Sequence, residues 1–121
     1  GADRLKVVVD SAAATAGLAA RLPGVEAMGR AATELGLPGP VGVLRSVESG
    51  RGKHGVRYEY VAVVEPVDVD GAHGAPATVR LMLAVPDAAA LVRGSAVVLD
   101  ATGRTIDLDA TNRARVHCRR S

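Results

Sequence analysis

Basic side chains that could bind an anion gather at the C-terminus of this 121-residue chain. If the segment NRARVHCRRS is extended, one face of an edge strand carries Arg113, Arg115, His117 and Arg119, and Arg120 follows them. Such a stripe could follow the phosphates of a nucleic acid or lie on an anionic lipid surface. Positive side chains also keep an edge strand from pairing with other molecules, and we favour this structural role.

A second basic group lies in the glycine-rich segment SGRGKHG, residues 49–55, which contains Arg51 and Lys53. Glycines let backbone N–H groups approach a phosphate closely, and a lysine adds charge. The spacing of a phosphate-binding P-loop is missing, and no clear helix follows the segment. We therefore expect an ordinary hairpin loop here.

The other polar clusters do not match a catalytic, cofactor or metal site. The segment DVDGAH, residues 68–73, contains two carboxylates and an imidazole, but it lacks the longer calcium-loop pattern and is typical of a solvated turn. Glu59 and Glu65 share one strand face at about 20 Å, which is too far for catalysis by paired carboxylates. The sequence therefore predicts a protein that is not an enzyme and that binds no cofactor or metal.

The composition bounds the class of protein without selecting a partner, since 15 basic residues stand against 13 acidic ones. Only two residues, both tyrosines, are aromatic, which argues against a site built on aromatic faces. We expect a cytoplasmic protein, because no apolar run could span a membrane and no signal-peptide pattern is present. Gly1 and Ala2 are typical of a cleaved tag, so a flanking anchor could have been removed.

Residues 1–36 are predicted to form an N-terminal helical segment. Val25 to Leu35 has its apolar residues on one helical face, and Gly36 follows where helices commonly end. Leu5 to Val9 fits either a short strand or the beginning of a helix. Ala12, Ala16 and Ala20 form a line of small residues that would let helices approach closely.

Residues 37–121 are predicted to form an antiparallel β-domain around a long hairpin from Val56 to Val85. Alternation along the hairpin places five side chains in the core: Tyr58, Tyr60, Val79, Leu81 and Leu83. The other predicted strands are Val41 to Val47, Ala96 to Leu99, Thr105 to Leu108 and Ala114 to Cys118. The predicted fold class is α+β, mainly β, with the N-terminal helical segment packed on a curled antiparallel sheet of five or six strands or a small barrel.

Three stretches carry a resemblance to a known family: GLPGPVGVLRSVESG, RYEYVAVVEPV and ATVRLMLAVPDAAALVRGSAVVLDATGRTIDLD. From Gly36 to Asp109 the chain resembles a small β-domain of uncharacterised actinobacterial proteins. It departs from their pattern at Arg93, where proline is usual, and after Asp100, where a proline is missing. Some members carry a SHOCT-type oligomerisation helix, which this sequence lacks. The resemblance implies a β-fold and an accessory role, and it supplies no catalytic residues.

Three functions are consistent with these features, and we favour a non-enzymatic protein-interaction or assembly module that forms a homo-oligomer. The stretch from Ala77 to Val85 carries one charge, so at a sheet edge it would be a template for pairing with a second copy. If helices cover that edge, the chain would be a monomer. The alternatives are a nucleic-acid or anionic-surface binder, and a small-ligand protein or enzyme whose site assembles from distant residues.

Overall fold

A computed structural model, which describes Gly17 and residues 19–120, has an open four-stranded antiparallel sheet with two helices packed together at one end. In chain order the elements are α1 (Val25–Leu35), β1 (Val41–His54), β2 (Arg57–Val67), β3 (Ala77–Ala84), α2 (Val85–Ala88), β4 (Ala96–Val98) and α3 (Leu108–Arg119). The strands lie in the order β3-β2-β1-β4, so β3 and β4 form the two edges of the sheet.

The hairpin of β1 and β2 turns at Gly55 and Val56, between the paired residues His54 and Arg57. Gly55 has a φ of 62°, and a left-handed first position suits the tight turns that match the twist of two paired strands. The turn therefore occupies only the end of the segment that was predicted to be a loop. Residues 49–54 belong to β1, and that loop prediction is wrong.

The pairing of β2 with β3 follows the predicted alternation. Tyr58 lies opposite Leu83, and Tyr60 lies opposite Leu81. Tyr60 and Val79 are buried, whereas the other three predicted core residues are half-buried and pack against the same core. The prediction of which hairpin face points inward is confirmed.

Two apolar clusters cover the two faces of the sheet. On one face, the segment after β3 crosses the sheet and inserts Ala88 and Leu91 beside Leu44 and Tyr60. On the other face, α1 and α3 pack together over the β4 end of the sheet. That cluster contains Met28, Ala31, Ala32, Val41, Ala96, Val98, Ala110 and Ala114. The helices therefore lie at the β4 side of the sheet, away from β3.

Helix α1 has the predicted bounds. Its apolar stripe buries Met28, Ala31 and Ala32. It ends at Gly36, which has a left-handed φ of 67°, and Leu37 N–H then donates to Ala32 O at 2.9 Å. The alternatives for Leu5 to Val9 lie outside the described residues, as do Ala12 and Ala16.

The predicted fold class is wrong in strand number, closure and helix placement. The described residues contain four strands in a sheet that does not close. Between Thr105 and Leu108 only Ile106 forms a bridge, which pairs it with Leu99. The predicted last strand, Ala114 to Cys118, lies within helix α3.

Helix α3 forms because its spacing over twelve residues is helical, although five of those residues also alternate. Ala110, Ala114 and Cys118 recur at intervals of four, so they share one face of the helix. That face packs against α1 in the second apolar cluster. Asp107 begins the helix by accepting a hydrogen bond from Ala110 N–H at 3.0 Å. On a helix, residues two apart do not share a face, so the predicted basic stripe does not exist.

Arg115 illustrates this correction, because it faces the sheet and is buried. Its guanidinium donates hydrogen bonds to Ala90 O at 2.9 Å and to Ser95 Oγ at 3.0 Å. Burial lowers the pKa of Arg115. The side chain therefore ties helix α3 to the segment that leads into β4.

We expect Arg115→Ala to lower the free energy of unfolding by about 2 to 4 kcal/mol, because it leaves buried acceptors without donors. Arg113→Ala is the matched control, since Arg113 is exposed on the same helix and its loss should cost less than about 0.5 kcal/mol. Urea denaturation of both variants measures the difference. Equal effects would contradict the helical placement of the two residues.

Candidate interaction edge

The backbone of edge strand β4 is covered by helix α3. Val98 N–H donates to Thr111 Oγ1 at 2.9 Å, and Val98 O accepts from Asp107 N–H at 2.9 Å. Ala96 O accepts from the Arg115 guanidinium at 3.4 Å. Side-chain and backbone groups at the beginning of α3 thus take the hydrogen bonds that another strand could have made.

Hydrogen bonds between neighbouring strands also establish which backbone groups of β3 point outward. Leu44 N–H donates to Ser95 O on the β4 side, so its neighbour Val43 faces β2. Val43 pairs with Glu65, and the next residue, Pro66, accepts from Gly74 N–H on the β3 side. Even-numbered residues of β2 therefore face β3.

The register carries this alternation across to β3, which pairs with β2 without a shift. Val64, which faces β3, lies opposite Ala77, so the odd-numbered residues of β3 face inward. Four of the eight residues of β3 point outward: Thr78, Arg80, Met82 and Ala84. The first three direct both N–H and C=O away from the sheet. Ala84 is the N-cap of α2, so its C=O accepts the first hydrogen bond of that helix and only its N–H is available. In the described part of the chain, α1 and α3 pack on β1 and β4 and leave this edge uncovered.

The side chains of β3 do not protect its edge. Arg80 is the one charged residue of the strand, and its Nη1 lies 3.5 Å from Glu59 Oε1 on β2. Met82 is 39% exposed, and Leu81 and Leu83 are half-buried. Native edges are usually blunted by several charges, prolines or bulges within the strand. The β3 edge is therefore suited to pairing with another extended chain.

The glycine-rich segment of β1 binds an anion, and that anion is the chain's own Glu59. Glu59 Oε1 accepts hydrogen bonds from Arg51 N–H at 3.0 Å and Gly52 N–H at 3.3 Å. This contact lies in the register shift between Ser49 and Lys53, where β1 bulges. A side chain on Gly50 would overlap the Glu59 carboxylate. The glycines that resembled a phosphate cradle therefore make room for an internal carboxylate.

The six basic residues that were candidate anion contacts do not form one surface. Arg51 and Lys53 lie near the β1–β2 turn, where Lys53 Nζ is 5.3 Å from the centre of the Tyr58 ring. Three others are exposed on or just after helix α3: Arg113, Arg119 and Arg120. The turn and the helix lie at opposite ends of β1, about 40 Å apart for a strand of this length. Arg115, the sixth residue, is buried in its structural contacts.

A groove of about 310 Å³ lies between the C-terminal ends of α1 and α3. It is lined by Leu35, Asn112, Arg113, Val116, His117 and Arg120. His117 Nε2 contacts Glu34 Oε1 at 3.3 Å on the rim. The groove is open and combines an apolar floor with basic side chains, and it lacks the convergent polar groups of an enclosed ligand pocket.

Glu65 organises the polar contacts at the other end of β2. Arg45 Nε donates to Glu65 Oε2 at 2.8 Å, and His73 Nδ1 lies 2.6 Å from Glu65 Oε1. These two partners lower the pKa of Glu65 to about 2. Asp68 Oδ1 accepts from Asp70 N–H and Ala72 N–H, which is the predicted turn chemistry.

Neither metal nor membrane features stand out in the described residues. No group of three or more His, Cys, Asp or Glu side chains there could hold a metal ion. None of the helices described is long and apolar enough to cross a membrane. Comparisons with protein-family models, with curated proteins and with solved structures found no match.

The sequence predicted that the β3 strand could pair with a second copy if it lay at a sheet edge, and β3 does lie at an edge. The contacts that distinguish the two edges were not predicted. Thr111 and Arg115 cover β4 from a helix that was predicted to be a strand. The N-terminal signal of that helix was Asp107 followed by good helix formers. Glu59 gave no signal as the partner of the glycines, because it lies on the opposite strand.

We expect Gly50→Ala to lower the free energy of unfolding by about 1 to 3 kcal/mol, because the new methyl group displaces Glu59 from two N–H donors. In a Glu59→Ala background the same change should cost much less, since the overlapping atoms are gone. Gly74→Ala is the control, because its methyl group would meet Pro66 at 3.7 Å, an ordinary contact. Equal costs of Gly50→Ala in both backgrounds, measured by urea denaturation, would contradict this role of Glu59.

Proposed function

We propose that this chain is a non-enzymatic assembly module that associates with a second copy of itself through the free edge of β3. The observation that carries the proposal is the difference between the two sheet edges. On β4, α3 takes outward backbone groups, whereas in the described residues Thr78, Arg80 and Met82 of β3 keep theirs available. An exposed edge of this length favours the addition of a strand, because the backbones of the two strands form hydrogen bonds directly and no side-chain binding pocket is required.

The apolar character of the strand supports the same proposal. Leu81 and Leu83 pack only partly against the core, so each retains apolar surface at the edge. An added strand would cover that surface on one face and approach Met82 on the other. Association through β3 would thus bury apolar area in addition to forming hydrogen bonds.

Binding of nucleic acid or an anionic surface is less well supported. The basic residues divide between the β1–β2 turn and the α3 end, and Arg115 is not available for contact. Electrostatic binding is strongest where several cations meet one stretch of phosphates. A small-ligand function has less support still, since the groove between α1 and α3 is open.

The association can be tested with Met82→Lys, which adds a second cation next to Arg80 on the edge. The variant should fold, because residue 82 lies opposite Glu59 on β2 and the new cation gains a partner there. Repulsion between two edges that each carry two cations should raise the dissociation constant about tenfold. Light scattering over a dilution series measures the change.

Val56→Lys is the matched control, because Val56 is 78% exposed and lies in the β1–β2 turn, outside the strand that would pair. It should leave the dissociation constant unchanged. A wild-type mass that stays near 12.3 kDa at all concentrations would contradict the proposed function. A dimer that responds to Val56→Lys and ignores Met82→Lys would place the contact on another surface.

A further inference from the structure

We infer that two copies pair in antiparallel orientation along β3, with the two-fold axis of the dimer at Leu81. This inference rests on the proposed function and adds the register of the pairing. A two-fold axis makes the contact self-complementary, so every residue lies opposite the one equally far on the other side of the axis. We can therefore ask whether the residues on one side of Leu81 are compatible with those on the other side.

Backbone hydrogen bonding fits an axis at Leu81. In an antiparallel ladder, residues that point outward must lie opposite residues that also point outward. With the axis at Leu81, Arg80 lies opposite Met82 of the second copy and can exchange both backbone hydrogen bonds with it. Thr78 lies opposite Ala84 of the second copy and can accept from its N–H, while Ala84 C=O stays bonded within α2. A shift by one residue would place outward residues opposite inward ones and would break the ladder.

A proline disfavours a shift of the axis to Met82. That axis would place Thr78 opposite Pro86, which lies in α2 and has no backbone N–H, and it would place Arg80 opposite Ala84, whose C=O is already bonded. The register centred on Leu81 keeps both backbone hydrogen bonds between Arg80 and Met82 of the second copy.

The side chains agree with the same register. An axis at Arg80 would place the two guanidinium groups directly opposite each other, which is unfavourable, whereas the axis at Leu81 places Arg80 opposite a methionine. On the core-facing side, Leu81 would lie against Leu81 of the second copy, and Val79 would lie against Leu83 of the second copy. The half-buried leucines of both copies would then join one continuous apolar layer.

Disulfide cross-linking between introduced cysteines tests the register. The background is Cys118→Ser, since the half-buried Cys118 is the native thiol and its Sγ lies 3.5 Å from Ala27 O, where a hydroxyl can also donate. Opposed residues in an antiparallel ladder have Cα atoms about 4.5 to 5.5 Å apart, within disulfide reach. Diagonal neighbours are about 7 to 8 Å apart and lie beyond it.

Under mild oxidation, Leu81→Cys alone should convert mostly to a covalent dimer. Arg80→Cys alone and Met82→Cys alone should remain mostly monomeric on a denaturing gel. An equimolar mixture of Arg80→Cys and Met82→Cys chains should form the mixed dimer, because residues 80 and 82 lie opposite each other across the axis. Each single variant alone is the control for the mixture, because the same two thiols have the same exposure and reactivity in both experiments.

Two kinds of failure are distinguishable. Efficient cross-linking of Arg80→Cys alone or Met82→Cys alone would overturn the register and leave association through β3 intact. A dimeric mass without a disulfide at any of these positions would overturn both the register and the proposed use of β3. A wild-type protein that is monomeric by light scattering would overturn both as well.

Discussion

An open β-sheet exposes a row of backbone donors and acceptors at each of its two edges, and this structure depends on how those rows are satisfied. At β4, the beginning of helix α3 takes the outward groups through Thr111, Asp107 and Arg115. This requirement explains why a buried threonine and a buried arginine lie on a short helix that otherwise packs through alanines. Helices α1 and α3 both pack at the β4 side, and the short helix α2 follows β3 at its C-terminal end, so the described residues leave the outward groups of Thr78, Arg80 and Met82 uncovered. We propose that a second copy meets the same requirement there.

The polar groups that resemble binding sites in the sequence are largely used within the chain itself. Glu59 fills the backbone donors of the bulge at residues 50–52, and Glu65 is held by Arg45 and His73. Asp68 caps its own turn. Such internal pairs satisfy charged groups at moderate exposure, and these groups are therefore already engaged within the described part of the chain.

Local patterns predicted the parts of the fold that depend on local physics. The helix from Val25 to Leu35 and the inward face of the β2–β3 hairpin follow from apolar spacing and from Gly36. The stretch from Ala114 to Cys118 was wrongly predicted to be a strand because basic and apolar residues alternate there, although the four-residue spacing of Ala110 and Ala114 is helical. The partners of Gly50 and Arg115 could not be predicted, because they lie on other elements: the bulged register of β1 and β2 places Glu59 at Gly50, and the packing of α3 places Arg115 at Ala90. The number of strands was also predicted wrongly. The sequence around Ile106 resembles a short strand, but only the fold decides that Ile106 forms a single bridge.

Residue-resolved amide hydrogen exchange at low and high protein concentration tests the central claim most directly. The inward amides of Val79, Leu81 and Leu83 should be protected at both concentrations, because they bond to β2. The outward amides of Thr78, Arg80, Met82 and Ala84 should exchange freely in dilute solution and become protected as the concentration rises. Free exchange of the outward amides at every concentration would contradict pairing through β3. Protection in dilute monomer would show that the edge is covered within one chain, and it would contradict the account equally.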